Sequence, residues 1–326
     1  MTYYDTTYTN GVIAVREKTL LKEKLLRLCE MNAEDAFRTL LESGFGGGAE
    51  NAASVYEYEN LIAAEERALD RFILEYAPSE SEQAYLLSPR DFHNAKALLK
   101  ATYLGTSAER LLAPEGRIKI ALLESCVQSG DFTPLTALNA YLGSACEQTK
   151  TLLETDANGA KVGEIFEKAL YSYLWATAKK SSVLKKLLIV KADMTNVLTA
   201  LRAGSKENAQ DKYLPVGSLK EKELDVLFSE DEKKILSVFS KTPYRGFVES
   251  CLAAKAKGLP MTQAEKTLGS YDAQFFAERR FELSRNEPFL YYVFRRRAEN
   301  ANVRIVFVCL LAGQNEHDIK QRLRAV

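Results

Sequence analysis

Histidine is nearly absent, with only His93 and His317 in 326 residues and no His-Glu-x-x-His spacing, so a histidine-based metal site is not expected. Cysteine is sparse as well. Cys29, Cys126, Cys146, Cys251 and Cys309 are an odd set with no Cys-x-x-Cys pair, which argues against a disulfide framework and a thiolate zinc site. They read as small buried hydrophobes in a reducing compartment. No Gly-x-x-x-x-Gly-Lys-Ser/Thr phosphate cradle occurs, so ATP binding by this chain is not expected. The longest apolar run, Ile305 to Ala312, falls well short of the roughly 18–20 residues a spanning helix needs. Net charge is also missing: 44 basic and 44 acidic side chains cancel, which removes the electrostatic footprint of a nucleic-acid binder. The start, Met1-Thr2-Tyr3-Tyr4-Asp5, is polar where a signal peptide would be basic and then apolar, so secretion is not expected.

What is abundant is helix-forming. Alanine, leucine, lysine and glutamate dominate, prolines number only eight, and apolar residues recur at three- and four-residue spacing. Leu21, Leu25 and Leu28 make one stripe; Ala97, Leu98, Ala101 and Leu104 another; Met194, Leu198 and Leu201 a third; Val303, Phe307, Leu310 and Leu311 a fourth. No period-two strand is evident, and the fold class is all-α. Ser88-Pro89-Arg90-Asp91 has the chemistry of a helix start, with a hydroxyl cap and proline at the first helical position. Gly105, Gly204 and Gly313 each follow an apolar run, where a left-handed residue closes a helix.

The chain also repeats itself. Asp91-Phe92-His93-Asn94, Asp193-Met194-Thr195-Asn196 and Glu299-Asn300-Ala301-Asn302 each place an acid three residues before an asparagine, at intervals of 102 and 106 residues. Leu21-Lys22-Glu23-Lys24 recurs as Leu219-Lys220-Glu221-Lys222, and Leu40, Phe45 and Gly47 correspond to Phe239, Tyr244 and Gly246. An aromatic-rich helix is expected about 20 residues before each motif, around Phe72, Tyr173 and Phe281. The simplest account is three related helical domains with pseudo-threefold symmetry, over 1–115, 116–216 and 217–326, with breaks at Pro114-Glu115-Gly116 and Pro215-Val216-Gly217. The structural repeat motif is then Asp91, Asn94, Asp193, Asn196, Glu299 and Asn302, with its acids read as helix-start and inter-helix hydrogen-bonding groups.

Several features admit a chemical reading and a plainer one. Gly44-Phe45-Gly46-Gly47-Gly48-Ala49 imitates a dinucleotide loop but follows a helical segment, Ala36 to Ser43, so it reads as a helix cap and flexible turn. His93 reads as a structural side chain in the helix start. The basic clusters Lys179-Lys180, Lys185-Lys186 and Arg295-Arg296-Arg297 could meet acidic partners or anionic headgroups, although such runs usually form solvated helix faces. Sixteen tyrosines and fifteen phenylalanines read mostly as core, although aromatics are also favoured in interface hot spots. A helical scaffold for protein–protein interaction is the alternative overall reading, but its usual repeat of roughly 34–47 residues is not seen.

The three motifs resemble those of the C subunit of prokaryotic V-type (A/V-type) ATPases, the relative of eukaryotic subunit d. Ser88 to Gly105 looks like that family's first Asp-x-x-Asn-x-x-x-Leu-Leu-Arg/Lys-Ala helix, Asp193 to Gly204 like its second, and Pro288 to Gly313 like its C-terminal segment. Tyr8, Val15-Arg16 and Leu20-Leu21 fit the opening helix, and Ser43-Gly44-Phe45-Gly46-Gly47 its Thr-x-Tyr-Gly-Gly turn. Ala301 and Cys309 depart from the family's larger or basic side chains, and Gly204 closes the middle repeat early. The resemblance implies a funnel of three helical domains, non-catalytic and without a cofactor or metal. Its mouth would receive the axle of the D and F subunits, and its base would rest on the proteolipid c-ring near the membrane-embedded a/I subunit. It would be cytoplasmic, peripheral to the membrane and reach it only through the ring.

Overall fold

The computed structural model describes residues 5–21, 23–155, 159–178, 181–277, 279–281 and 286–324. The opening Met1 to Tyr4, Lys22 of the leucine–lysine echo and the Lys179-Lys180 cluster lie outside the described residues. Among those described the fold is all-α, with helices and short 3-10 turns and no strand. The chain divides into two compact units, one of Met1–Ser79 with Gly269–Val326 and one of Glu80–Leu268.

The first unit opens with α1 (Thr6–Arg16), α2 (Glu23–Leu28), α3 (Ala33–Glu42) and α4 (Tyr58–Tyr76). Helix α3 shows how sequence sets these elements. The Asn32 side chain accepts from Asp35 N at 2.9 Å and donates to the Asp35 carboxylate at 2.7 Å, which caps the first turn. Ala36, Phe37 and Leu40, at helical spacing, form its buried face. After α3 the chain turns on Gly44, Gly46, Gly47 and Gly48, all with positive φ. A Cβ at Gly46 would stand 2.3 Å from the Leu61 carbonyl oxygen, so only glycine fits. The expected helix cap is there at Gly44, but the turn is pinned rather than free, because Gly46 N donates to Glu65 at 2.9 Å.

The second unit runs from α5 (Glu80–Leu104) through α6 (Ile120–Ser129), α7 (Thr133–Leu138), α8 (Ala140–Thr155) and α9 (Gly159–Thr177). It continues with α10 (Ser182–Ala203), α11 (Lys206–Ala209), α12 (Glu221–Asp225), α13 (Glu232–Phe239) and α14 (Arg245–Ala256). Helix α5 packs on α6, α8 and α9 around Phe92, Phe132, Leu142, Cys146 and Phe166. Helix α10 packs on α9, α12 and α14. Helix α15 (Thr262–Ala277) leads back into the first unit, which α16 (Glu287–Leu311) and α17 (Glu316–Arg322) complete. There α16 packs on α1 and α4, and Phe72 of α4 stacks on Phe289 with its ring edge to Tyr292. Burying a phenylalanine this fully contributes about 1.5–3 kcal/mol.

Two expectations need correction. No helix starts at Ser88-Pro89: α5 runs straight through Pro89. An interior proline costs about 3 kcal/mol, but Ser81 to Ser88 and Asp91-Phe92 are buried on either side, and that packing outweighs the capping chemistry of the tetrapeptide. The aromatic helix placed around Phe281 is α15, whose Tyr271, Phe275 and Phe276 precede Phe281 in the turn beyond its end. Gly105, Gly204 and Gly313 do close their helices with positive φ. At Gly105 and Gly313 the residue after the glycine donates back five residues, from Thr106 N to Ala101 O and from Gln314 N to Cys309 O.

Candidate functional site

The six motif residues form three buried clasps, each built on the middle of a long helix. In the first, on α5, Asp91 accepts Ile118 N at 3.0 Å through Oδ1 and Arg117 N at 3.1 Å through Oδ2. Asn94, one turn on, pairs both ways with a single residue: Ala113 N donates to Oδ1 at 2.8 Å and Nδ2 donates to Ala113 O at 3.1 Å. A primary amide satisfies a strand-like backbone in this way without a second strand.

The second clasp, on α10, repeats that geometry. Leu214 N donates to Asn196 Oδ1 at 2.7 Å, and Asn196 Nδ2 donates to Leu214 O at 3.2 Å. Asp193 accepts Leu219 N at 3.0 Å, Ser218 Oγ at 2.6 Å and the Tyr244 hydroxyl at 2.6 Å. Both clasped segments carry a glycine facing the acid. A Cβ at Gly116 or Gly217 would lie 2.3 Å from the carboxylate oxygen of Asp91 or Asp193.

The third clasp, on α16, keeps the asparagine half: Arg324 N donates to Asn302 Oδ1 at 2.8 Å and Asn302 Nδ2 donates to Arg324 O at 3.1 Å. Its acid turns to the opposite end of the chain. Glu299 Oε1 accepts Leu21 N at 2.6 Å, while Oε2 accepts Arg296 Nη1 at 2.6 Å. Arg296 also donates to Thr19 Oγ1 at 2.6 Å and lies 3.7 Å from Glu65, the acid that holds Gly46 N. Leu21, Ile118 and Leu219 are thus held by the three acids in turn. Leu21 and Leu219 are the two positions that open the leucine–lysine echo.

All six residues are buried, and burial sets their electrostatics. It pushes the Asp91 carboxyl up to about 6, against the pull of the Ile118 and Arg117 N–H groups. Burial also raises Glu299, with Arg296 opposing. The acids lie mid-helix, not at helix starts, so their bonds go to other segments. Among their partners, Glu65, Thr19 and Ser218 are not singled out by sequence. Arg296, inside a basic run read as a solvated face, is buried, because α16 turns it toward Glu299 and Glu65.

The other chemical candidates stay apart. His93 lies exposed in the middle of α5 with Nε2 2.8 Å from the Leu111 carbonyl, and His317 meets Gln321 on α17. Among the described residues no group of three or more His, Cys, Asp or Glu could hold a metal, and all five cysteines are free and buried. A groove of about 490 Å³ between α8 and α9 is lined by Tyr141, Gln148, Lys161, Glu164 and Lys168. Lys168 there is engaged by the Asp211 carbonyl.

Fold and clasps define an all-helical protein whose polar interior fastens segments of its own chain together. Two comparisons narrow that class. The chain matches the family described as ATP synthase (C/AC39) subunit over residues 9–322, and it belongs to that family. It is similar to the C subunit of the V-type ATP synthase from two strains of Thermus thermophilus. Each is 23% identical over 249 residues, which cover 74% of this chain and 77% of the relative.

Proposed function

We propose that this chain is the C subunit of a V-type rotary ATPase or ATP synthase, a non-catalytic adaptor of the central stalk that couples the D and F axle to the membrane c-ring. The single observation that carries the reading is the family match running through nearly the whole chain, residues 9–322. In this reading the three helical repeats, 1–115, 116–216 and 217–326, form a pseudo-threefold funnel. Its mouth takes the foot of the axle, its base rests on the proteolipid ring beside the a/I subunit, and the whole stands on the cytoplasmic side of the membrane. ATP chemistry belongs to the A and B subunits, and this chain passes on torque.

The clasps support the reading mechanically. Each acid grips the opening segment of the following repeat, and the third grips the opening segment of the first. Ties of this kind resist twisting locally, because a clasped segment cannot turn against its helix without breaking buried bonds, each costly to leave unmade. No described helix is long and apolar enough to cross a membrane, and the proposed contact is with a protein ring.

The test is affinity purification of the tagged chain from its native host in mild detergent, with mass spectrometry of what is retained. Recovery of A, B, D and F subunits with the proteolipid is expected. Recovery of the chain alone, from membranes that contain those subunits, overturns the reading.

A further inference from the structure

Several arginines on the surface of this protein are matched to a carboxylate: Arg117 to Glu80 at 3.1 Å, Arg245 to Glu249 at 2.9 Å, Arg304 to Glu59 at 2.8 Å. One patch of the first unit breaks that pattern. Arg279 and Arg280, in the turn beyond α15, and Arg295 of α16 have no carboxylate within ion-pair distance among the described residues, and lie instead against aromatic rings. The Arg279 guanidinium is 4.2 Å from the centre of the Phe275 ring. Arg280 is 4.5 Å from that of Phe281 and 5.8 Å from that of Tyr291, and Arg295 approaches the same Tyr291 ring to 5.8 Å. Two of the arginines also cap the end of α15, through the Phe275 and Ala277 carbonyls.

This arrangement holds charge ready. A guanidinium has five N–H donors, and each of these three uses one: Arg279 and Arg280 on those backbone carbonyls, Arg295 on the Tyr291 hydroxyl at 3.3 Å. Stacking on a ring fixes its plane and leaves its edge free for the paired bonds that a carboxylate makes best. Phe281, 75% exposed, sets a large apolar surface in the middle of the patch. Arginine and aromatic side chains, held rigid before contact, are what the energetic centres of protein interfaces are made of.

We infer that Arg279, Arg280, Arg295 and Phe281 form a docking surface for an acidic loop or helix end of a partner protein. A lipid surface fits less well. Polybasic adsorption draws on four to eight basic residues acting together. Here acids flank the arginines in the sequence, Glu278-Arg279-Arg280-Phe281-Glu282, and would be repelled by a uniform anionic sheet. The inference rests on this chain working inside a complex, as proposed above, but not on which subunit supplies the acids.

The test places a photoreactive benzoylphenylalanine at Phe281 in the tagged full-length chain, expressed in its native host. Membranes are irradiated and the adduct is identified by mass spectrometry. A covalent adduct to a peptide bearing adjacent Asp or Glu residues is expected. Adding Arg279→Gln and Arg280→Gln should lower its yield about tenfold, the effect of losing ~1.4 kcal/mol of binding. A lipid adduct, an adduct to a neutral or basic peptide, no adduct, or a yield indifferent to the arginine changes each overturn the inference. If the arginine variant does not fold, as its melting curve would show, the identity of the unmutated adduct decides alone. Should the acidic peptide come from a protein outside any rotary ATPase, the docking surface stands and the functional reading falls.

Discussion

The clasps on α10 and α16 hold segments that echo each other in sequence, with different chemistry. Asp193 is met by three neutral donors, the Leu219 N–H and the hydroxyls of Ser218 and Tyr244. Glu299 takes one backbone N–H and is answered by a second buried charge, Arg296, itself only 3% exposed. Glycine explains the choice of acid. Gly217 lets its segment come close enough for an aspartate, whereas Thr19-Leu20-Leu21 has no glycine, and the glutamate's extra methylene spans the difference. The longer arm needs steadying, and Arg296 supplies that by tying Glu299, Thr19 and Glu65 into one network. A buried ion pair returns little net stability once desolvation is counted, but breaking one half of it is expensive. The α16 clasp is therefore the more brittle of the two.

The largest expected effect tests that brittleness. Arg296→Ala leaves Glu299 and Glu65 without their cation and should cost about 3–5 kcal/mol in urea unfolding. A loss below about 1 kcal/mol would erase the distinction between the two clasps. Asp193→Asn, which keeps one acceptor of two and turns a donor toward other donors, should cost less, about 2–3 kcal/mol.

Sequence located the clasps better than it explained them. The acid-x-x-Asn spacing and its near-constant interval stand out because, on α5 and α10, one helical turn must carry both side chains to the same segment. The helix start assigned at Ser88-Pro89 was misplaced because capping is local chemistry and the burial of α5 is not. Arg296 stayed hidden in Arg295-Arg296-Arg297, where three like neighbours point in three directions and only the packed helix says which is inside. Glu65, separated from Glu299 by most of the chain, has no sequence signal at all. The Pro-x-Gly pairs at 114–116 and 215–217 were visible as breaks, while their closeness to a carboxylate needed coordinates.

The α5 clasp sharpens the comparison through pH, since Asp91 has neither a hydroxyl nor an ion pair among its hydrogen-bond partners. Its carboxyl, raised by burial to about 6, holds its proton more tightly folded than unfolded. The stability it contributes is fullest below its ordinary value near 4 and is lost as pH rises through about 6. Relative to Asp91→Asn, which cannot titrate, the wild-type protein should gain about 1–2 kcal/mol between pH 7 and pH 5. A constant difference between the two proteins over that range would show that the two backbone donors hold the charged form as well as water does.

Tyr244→Phe makes the smallest change and bears on the repeat itself. Phe45 aligns with Tyr244 at an offset of 199 residues in the proposed repeat, so the substitution writes the residue of one aligned segment into the other. Asp193 would lose its hydroxyl donor and keep Leu219 N and Ser218 Oγ, and the ring would still fill its buried place. The expected cost is about 1 kcal/mol, that of one hydrogen bond among several. A cost near 3 kcal/mol would mean that the hydroxyl, and not the backbone segment, is what keeps the carboxylate buried. The α10 clasp would then resemble the α16 clasp in depending on one dedicated partner, and the neutral and charged versions would be two forms of a single device.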